Sequence, residues 1–258
     1  MSENERTRAL TSPTRALTLL EAVADSRVPV RPPDLGRTLG WSRAAVHQHL
    51  VTLVSAGWLD QLNDGRYRLS LKAGRLGAAA LEQAGLGDRI LPLLEAVTFR
   101  LREAAFLAVM EGQRAHIIRR VQAPRRIQAN VASSDFDLSS SASGRVLTAY
   151  ASEHELTLLA AEGVAIAPGR VLADVRRRGF AVTDVDDDPG DETTAVAVPL
   201  MDDRGRCLAA IGVLAPSDRL DAALASAVLI DAAHRFDRMW HSVPAFDLDD
   251  NDEMEGAR

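Results

Sequence analysis

The most constraining stretch of the sequence runs from Pro32 to Leu53, PPDLGRTLGWSRAAVHQHLVTL. It predicts two short helices joined by a tight turn at Gly40-Trp41. In the second helix Val46, Leu50 and Leu53 recur at i, i+4 and i+7, which places them on one buried stripe. This period, with a glycine at the joint, is typical of a helix-turn-helix. Two amphipathic helices around a glycine turn also occur in all-helical proteins that bind no nucleic acid.

The side of the second helix opposite this stripe carries side chains that suit DNA. Ser42 stands where an N-cap is expected. A helix that exposes an amide, an imidazole and a guanidinium near its N-terminus can lie in the major groove, where Gln48 can pair in a bidentate manner with adenine. The predicted DNA-contacting residues of this helix are Ser42, Arg43, Ala44, His47 and Gln48.

A β-hairpin is predicted directly after this helix, over residues 58 to 71. Apolar and polar residues alternate there with period two around an Asn63-Asp64-Gly65 turn. A helix-turn-helix followed by a hairpin is a winged helix. Arg66 and Arg68 lie on the polar face, and we expect them to contact phosphates, which position a protein on DNA without reading its sequence. The apolar face is formed by Tyr67, Leu69 and Leu71.

Charge is divided unevenly along the 258-residue chain. Residues 1 to 72 hold ten basic and seven acidic residues, a net charge of +3, so the remainder carries −9 to give the total of −6. A phosphate backbone meets the local charge rather than the overall charge. The balance therefore favours a DNA-contacting N-terminal part and an acidic remainder.

Cysteine and histidine usage excludes several chemistries. Cys207 is the only cysteine, so neither an intrachain disulfide nor a cysteine-based zinc site can form. The six histidines are scattered, and the sequence has no glycine-rich phosphate loop or nucleophile elbow. It has no secretory signal and no apolar run of about 18 residues. We therefore expect no enzyme, no cofactor or metal, no membrane contact and a cytoplasmic location.

The rest of the N-terminal part completes a small domain. Residues 1 to 11 are polar and predict a disordered leader, and Ser12-Pro13 predicts the start of a helix. Val28 to Pro33 is expected to be an extended connector because its prolines block a helix. The winged helix-turn-helix domain is thus expected to span residues 12 to 71. An Ala/Leu-rich helix over 72 to 86, with few large apolar side chains, would link domains or pair with its copy in a dimer.

The remaining sequence, residues 87 to 243, predicts an α+β domain with an antiparallel sheet and helices on a face. The acidic run from 244 to 258 predicts a disordered tail, either a solubilising segment or a decoy that competes with DNA. Within residues 87 to 243 the predicted elements are a helix around 88–101, strands at 105–110, 115–121 and 127–131, a serine-rich loop at 139–144 that opens a helix running to about 150, helices at 153–161 and 168–178, strands at 194–201 and 207–214, and a helix at 220–241.

Several separated motifs resemble the IclR family of bacterial transcription regulators, from about Pro13 to Met239. They include MEGQRAHIIRRV, SASGRVLTAY and the stretch from Arg176 to Pro216. The resemblance implies a winged helix-turn-helix, a linker helix and a GAF-like effector-binding domain, with homodimers or homotetramers. It also implies binding of double-stranded DNA that is modulated by a small-molecule effector, often a carboxylate or an aromatic acid. The strongest matches are Ala142-Ser143-Gly144-Arg145 with Ala149, Gly179-Phe180-Ala181, Ala197-Val198-Pro199 and Ala209 to Val213.

The same resemblance implies an effector pocket in the C-terminal domain. Independently of the family, serine hydroxyls and backbone N–H groups before a helix N-terminus suit an anion, and small residues at 195 and 197 leave room for a ligand. A serine-rich loop can instead serve only to cap a helix, and Asp184 with the acidic run Asp186-Asp187-Asp188 can be a solvated turn. The implied pocket residues are Ser141, Ala142, Ser143, Gly144, Thr183, Asp184, Ala195, Ala197, Ile211 and Val213.

The recognition helix departs from the family pattern. The family commonly has Ser-Thr followed two residues later by Arg-Leu, whereas this chain has Ala44-Ala45 and then Gln48-His49. Two hydroxyls and a guanidinium that contact phosphates or bases are missing, so a relative's operator sequence does not carry over. The alternative to a ligand-responsive transcription regulator is a winged helix used for protein contacts without an operator. Steep salt dependence would separate the two, since phosphate contacts release counterions.

Overall fold

The computed structural model describes residues 10–26, 28–123, 135–185 and 192–241. The chain divides into two compact units on either side of Gln83 and Ala84. Most of the predicted leader lies outside the described residues, as do the predicted strand at 127–131, the acidic run 186–188 and the acidic tail. Among the described residues, no helix is both long and apolar enough to cross a membrane.

The first unit is a winged helix-turn-helix. In chain order its elements are α1 (Thr11–Ala24), α2 (Pro32–Leu39), α3 (Arg43–Ser55), β1 (Leu59–Gln61), β2 (Tyr67–Leu69) and α4 (Leu71–Gln83). The apolar stripe predicted for the second helix of the motif lies at the centre of its core. That core is formed by Leu19, Val23, Leu35, Val46, Leu50, Leu53, Leu59 and Tyr67.

Two glycines form the turns of this unit. Gly40 ends α2 with a φ of 66° and Gly65 turns the hairpin with a φ of 78°, both in the left-handed region that favours glycine. Val30 exchanges two backbone hydrogen bonds of 2.8 Å with Tyr67. The residues before α2 therefore extend the pairing of the hairpin beyond its two strands.

Three local predictions differ from the structure. α1 begins at Thr11, which had been assigned to the leader, and Leu10 rather than Ser12 is its N-cap. Pro32 and Pro33 form the first turn of α2 instead of an extended connector, because the N–H that proline lacks has no helical acceptor at those positions. Leu71 begins α4 and is 93% exposed, so its assignment to the apolar face of the hairpin is wrong.

The second unit has the predicted α+β class and antiparallel sheet. In chain order its elements are α5 (Gly87–Leu101), β3 (Ala104–Glu111), β4 (Arg114–Val121), β5 (Asp135–Asp137), α6 (Ala142–Ala149), α7 (Glu153–Ala161), α8 (Gly169–Arg178), β6 (Ala181–Val185), β7 (Thr193–Met201), β8 (Cys207–Pro216) and α9 (Ala222–His241). The sheet is six-stranded, in the order β5-β4-β3-β8-β7-β6. Strands β5 and β6 were not predicted, because three and five residues are too short for a clear period.

Strand alternation gives this sheet two buried faces. One face carries mostly small side chains beneath α6, which packs on β7 and β8. The other carries larger branched side chains, and α5 and α9 pack on β3 and β7. On the first face lie Phe106, Ala108, Ala195, Ala197, Ala210, Gly212 and Leu214, and on the second lie Leu107, Val196, Val198, Ile211 and Val213.

The turn between β7 and β8 is held by a buried carboxylate. Asp202 accepts hydrogen bonds from the backbone N–H groups of Arg204 and Arg206 at 2.9 and 2.8 Å, and from the Arg206 guanidinium at 2.7 Å. Burial opposes ionisation of this carboxyl, but the hydrogen bonds and the Arg206 charge outweigh burial, so the pKa of Asp202 is lowered.

We expect Asp202→Ala to lower the free energy of unfolding by about 1 to 3 kcal/mol at neutral pH, since the turn loses a charged acceptor. Because the pKa is lower in the folded state, the contribution is fully present above the unfolded value, about 3.9, and is lost as the pH falls through the folded pKa. In urea titrations the difference from wild type should be constant down to about pH 5 and narrow below about pH 4.

Asp203→Ala is the matched control, because Asp203 is exposed in the same turn. It should change the free energy of unfolding by less than about 0.5 kcal/mol. Equal losses in the two variants would contradict the role assigned to the buried carboxylate.

Candidate functional site

The exposed face of α3 is the first candidate site. Ser42 caps the helix, its Oγ accepting a hydrogen bond of 3.3 Å from the N–H of Ala45. The helix contains no acidic residue, so nothing on it repels a phosphate. The remaining predicted contacts of this helix are all exposed, and they are Arg43, Ala44, His47 and Gln48.

The two hairpin arginines are paired with carboxylates of the same hairpin. Arg66 Nε lies 2.6 Å from Asp64 Oδ2, and Arg68 Nε lies 3.3 Å from Asp60 Oδ2. Hydrogen bonds from the Arg66 backbone and side chain lower the pKa of Asp64. Exposed ion pairs are weak, so a phosphate can displace the carboxylates. Contact of these arginines with DNA stays a prediction.

The C-terminal end of α3 is tied to the first turn of α4. Lys72 Nζ donates a hydrogen bond of 2.9 Å to the carbonyl of Ala56 and lies 4.5 Å from the centre of the Trp58 ring. Ser70 Oγ donates a hydrogen bond of 2.6 Å to the carbonyl of Gly57. A cation at a helix C-terminus is favoured by the helix dipole. Nothing in the sequence pattern had indicated this role for Lys72.

A cavity in the second unit is the other candidate site. It lies between α6 and the small-residue face of the sheet, and the space free of protein atoms there, including open solvent at its mouth, is about 320 Å³. Within the described ranges, no group of three or more His, Cys, Asp or Glu is placed to hold a metal. The cavity wall is formed by Phe106, Ile117, Phe136, Ser141, Ala142, Ser143, Thr183, Ala195 and Leu214.

The N-terminus of α6 supplies polar groups to this mostly apolar wall. Ser141 Oγ accepts a hydrogen bond of 3.0 Å from the N–H of Gly144 and donates one of 2.7 Å to the carbonyl of Asp137. Ser143 Oγ lies 3.4 Å from Ser141 Oγ. The first N–H groups of a helix have no acceptor within it and carry partial positive charge. This end of the cavity therefore suits an anionic group.

Thr183 presents a different kind of polar group. Its Oγ1 is buried and has no hydrogen-bond partner among the described residues. By contrast, Thr194 Oγ1 on the neighbouring strand is 2.7 Å from Asp184 Oδ1 and 2.9 Å from Ser217 Oγ. A buried hydroxyl without a partner costs about 1 to 3 kcal/mol. Thr183 is thus a cavity-lining residue whose hydroxyl is unpaired among the described residues.

The predicted pocket residues are only partly brought together. Ala197 lies on the cavity face but outside the wall. Asp184, Ile211 and Val213 lie on the opposite face, because successive strand residues alternate between faces, so the prediction that they line the same pocket is wrong. The five that do line the cavity are Ser141, Ala142, Ser143, Thr183 and Ala195.

Sequence reasoning missed the large apolar part of the wall. The Phe106 ring lies against Gly212, where a Cβ atom would collide with the ring. The alternation of β8 could have placed Leu214 on the cavity face, but only the register between β3 and β8 brings Phe106 there. The missed residues are Phe106, Ile117, Phe136 and Leu214.

Gly144 serves close packing rather than the cavity wall. A Cβ atom at this position would lie 2.5 Å from the carbonyl oxygen of Asp137 and 2.5 Å from Leu138 Cα. Only glycine therefore allows α6 to approach the end of β5 this closely.

We expect Gly144→Ala to lower the free energy of unfolding by about 1 to 3 kcal/mol, since backbone must move to admit the methyl group. Gly169→Ala is the control, because a Cβ at Gly169 meets nothing within 4 Å and the residue lies at the start of α8. Urea unfolding followed by circular dichroism measures both. If Gly144→Ala were as stable as Gly169→Ala, the close approach of α6 would be contradicted.

Two family models match the sequence. Residues 12–63 match the IclR helix-turn-helix domain, and residues 78–237 match the model described as bacterial transcriptional regulator IclR C-terminal. The HTH-type transcriptional regulator XynR of Escherichia coli is 24% identical over 221 residues, covering 80% of this chain and 86% of the relative. The Pca regulon regulatory protein of Pseudomonas putida is 28% identical over 218 residues, covering 79% and 74%.

Solved structures have the same fold. Pseudomonas aeruginosa HmgR superposes with a TM-score of 0.68 at 26% identity, and the match covers 88% of this chain and 100% of HmgR. An IclR transcriptional regulator from Alicyclobacillus acidocaldarius gives a TM-score of 0.75 at 21% identity, covering 90% and 100%. An IclR homolog from Microbacterium hydrocarbonoxydans, solved in complex with 4-hydroxybenzoate, gives 0.71 at 23% identity, covering 90% and 100%.

Proposed function

This chain belongs to the IclR family of bacterial transcriptional regulators, and we propose that it senses a ring-containing organic acid in the cavity beneath α6. As a member of that family it is a ligand-responsive, DNA-binding regulator and not an enzyme. Its place of action is the bacterial cytoplasm, where its DNA lies.

The unpartnered hydroxyl of Thr183 is the observation that carries the ligand proposal. The hydroxyl is buried in a mostly apolar wall, and leaving it unpaired costs free energy that a hydrogen bond to a ligand would offset. Phe106 and Phe136 offer ring faces to a flat apolar ligand. The α6 N-terminus suits a carboxylate, and Thr183 suits a second, neutral polar group.

4-Hydroxybenzoate is the probe that fits this description. The Microbacterium hydrocarbonoxydans homolog was solved in complex with it. It carries a carboxylate at one end of a ring and a hydroxyl at the other, which corresponds to the two kinds of polar group in the wall. We propose this chemical class for the present chain, with the carboxylate towards Ser143 and the neutral group towards Thr183.

We propose that α4 conveys the ligand signal to α3. The hydrogen bonds of Ser70 and Lys72 fasten the first turn of α4 to the carbonyls that end α3. A displacement of α4 would therefore change the position of the recognition helix. A ligand changes the DNA affinity only if it binds more tightly to one of two positions of α4 than to the other.

We further propose that the protein acts as a homodimer or homotetramer. α4 buries none of its residues within this chain, and Leu71 and Leu76 on it are 93% and 59% exposed. A second copy covering this helix would remove those side chains from water. Two copies would also present two recognition helices to half-sites one helical turn or more apart.

Thr183→Val should separate stability from ligand binding. It replaces the unpaired hydroxyl by a methyl group of similar size, so the free energy of unfolding without ligand should stay unchanged or rise by about 1 kcal/mol. The affinity for 4-hydroxybenzoate in calorimetry should fall about ten-fold, the effect of one lost hydrogen bond. Ser143→Trp, which fills the cavity, should abolish the binding heat.

Thr194→Val is the matched control, because its hydroxyl is already paired with protein groups. It should lower stability and leave the affinity for 4-hydroxybenzoate unchanged. Two results together would reject the ligand site. In one, Thr183→Val lowers stability as much as Thr194→Val does, and in the other, Thr183→Val and Ser143→Trp both bind 4-hydroxybenzoate with wild-type affinity.

DNA binding is tested by the anisotropy of a labelled duplex from upstream of the gene, compared with a scrambled duplex at about 50 and about 200 mM salt. Wild type should prefer the first duplex and weaken at least ten-fold at the higher salt. Gln48→Ala should reduce the ratio of the two duplex affinities about ten-fold. Arg68→Ala should leave that ratio unchanged and reduce the slope of log affinity against log salt concentration by about one. Equal, salt-insensitive binding to both duplexes would favour the protein-contact alternative.

A further inference from the structure

One apolar side chain stands out on the exposed face of α3. Val51 is 50% exposed, and among the described residues of α3 it is the only large apolar side chain that is exposed. The remaining large apolar residues of the helix turn towards the core, where Val46, Leu50 and Leu53 are buried. Nothing within the described first unit covers Val51.

Val51 lies on the same face as Gln48 and Ala44, three and seven residues earlier in the helix. At a rise of about 1.5 Å per residue, Val51 stands roughly 4.5 Å beyond Gln48 along the helix axis. One base-pair step of B-DNA is about 3.4 Å. A helix lying in the major groove therefore brings these two side chains to neighbouring base pairs.

The chemistry of the two side chains selects the same kind of base pair. The amide of Gln48 matches the N6 donor and N7 acceptor of adenine. A valine has no hydrogen-bonding group, and the apolar feature that the major groove offers it is the C5 methyl of thymine. Ala44, whose side chain is a methyl group, adds a second small apolar contact on the same face.

We propose that Val51 is a specificity-determining residue that packs against a thymine methyl, so that α3 selects an A·T pair next to the one contacted by Gln48. The inference rests on the DNA binding of the winged helix-turn-helix. It adds Val51 to Ala44 and Gln48, which stand where the family pattern of hydroxyls and guanidinium is absent.

The test begins with selection of high-affinity duplexes from a random pool by the full-length protein. The enriched sites should contain two consecutive A·T pairs in each half-site. In the best site, the thymine facing Val51 is then replaced by uracil, which lacks only the C5 methyl. Wild-type affinity in an anisotropy titration should fall about four-fold, the factor for one methyl group removed from an apolar contact.

Val51→Ala should bind the thymine and uracil duplexes with equal affinity, because the contact that distinguishes them is gone. Val28→Ala is the matched control, since Val28 is an exposed valine of the same unit that lies outside α3 and is 65% exposed. It should keep the four-fold difference. Circular dichroism checks that both variants are folded.

Three results would overturn the inference and leave DNA binding itself intact. One is selection of sites without A·T pairs, and another is equal binding of wild type to the thymine and uracil duplexes. The third is a Val51→Ala variant that keeps the full difference. Failure of DNA binding itself would differ from all three, because then no sequence would be enriched at all, and that result would overturn this inference together with sequence-specific reading by α3.

Discussion

The second unit depends on the alternation of side chains along its central strands. In β7 and β8 the residues of one phase are large and branched and face α5 and α9, whereas those of the other phase are mostly alanine and glycine and face α6. Small side chains under a helix leave space that protein atoms do not fill. The cavity therefore follows from the sheet register, and Gly212 admits the Phe106 ring into its wall.

The same register explains why the cavity contains an unpaired hydroxyl, that of Thr183. Thr183 and Thr194 are on neighbouring strands in opposite phases, and only Thr194 meets hydroxyl and carboxylate partners. An unpaired buried hydroxyl costs the ligand-free protein free energy, and under the proposal a ligand that pairs with Thr183 would recover it. A ligand stabilises the conformation that it binds more tightly. The resulting change in DNA affinity cannot exceed the ratio of the ligand's affinities for the two conformations. In the proposed route, the hydrogen bonds of Lys72 and Ser70 would carry a displacement of α4 to the end of α3.

Local features were predictable from the sequence and non-local ones were not. The buried stripe of α3 and the cap of α6 at Ser141 follow from residues within a few positions of each other. Ile211 and Val213 were placed in the pocket wrongly, because composition does not tell which phase of a strand faces which layer. Phe106 and Phe136 were missed since pairing across β3, β8, β4 and β5 brings them to the cavity, and no local pattern encodes that pairing.

If the cavity and the DNA-binding face are coupled, the acid and DNA each change the affinity of the protein for the other, and thermodynamic linkage measures that change. The affinity of an acid that the cavity binds should be measured by calorimetry with and without a saturating selected duplex. We expect DNA to change the affinity for the acid, and the acid to change the affinity for DNA by the same factor, typically about 5- to 150-fold. An acid that binds in the cavity with the same affinity in the presence and absence of DNA would contradict this coupling.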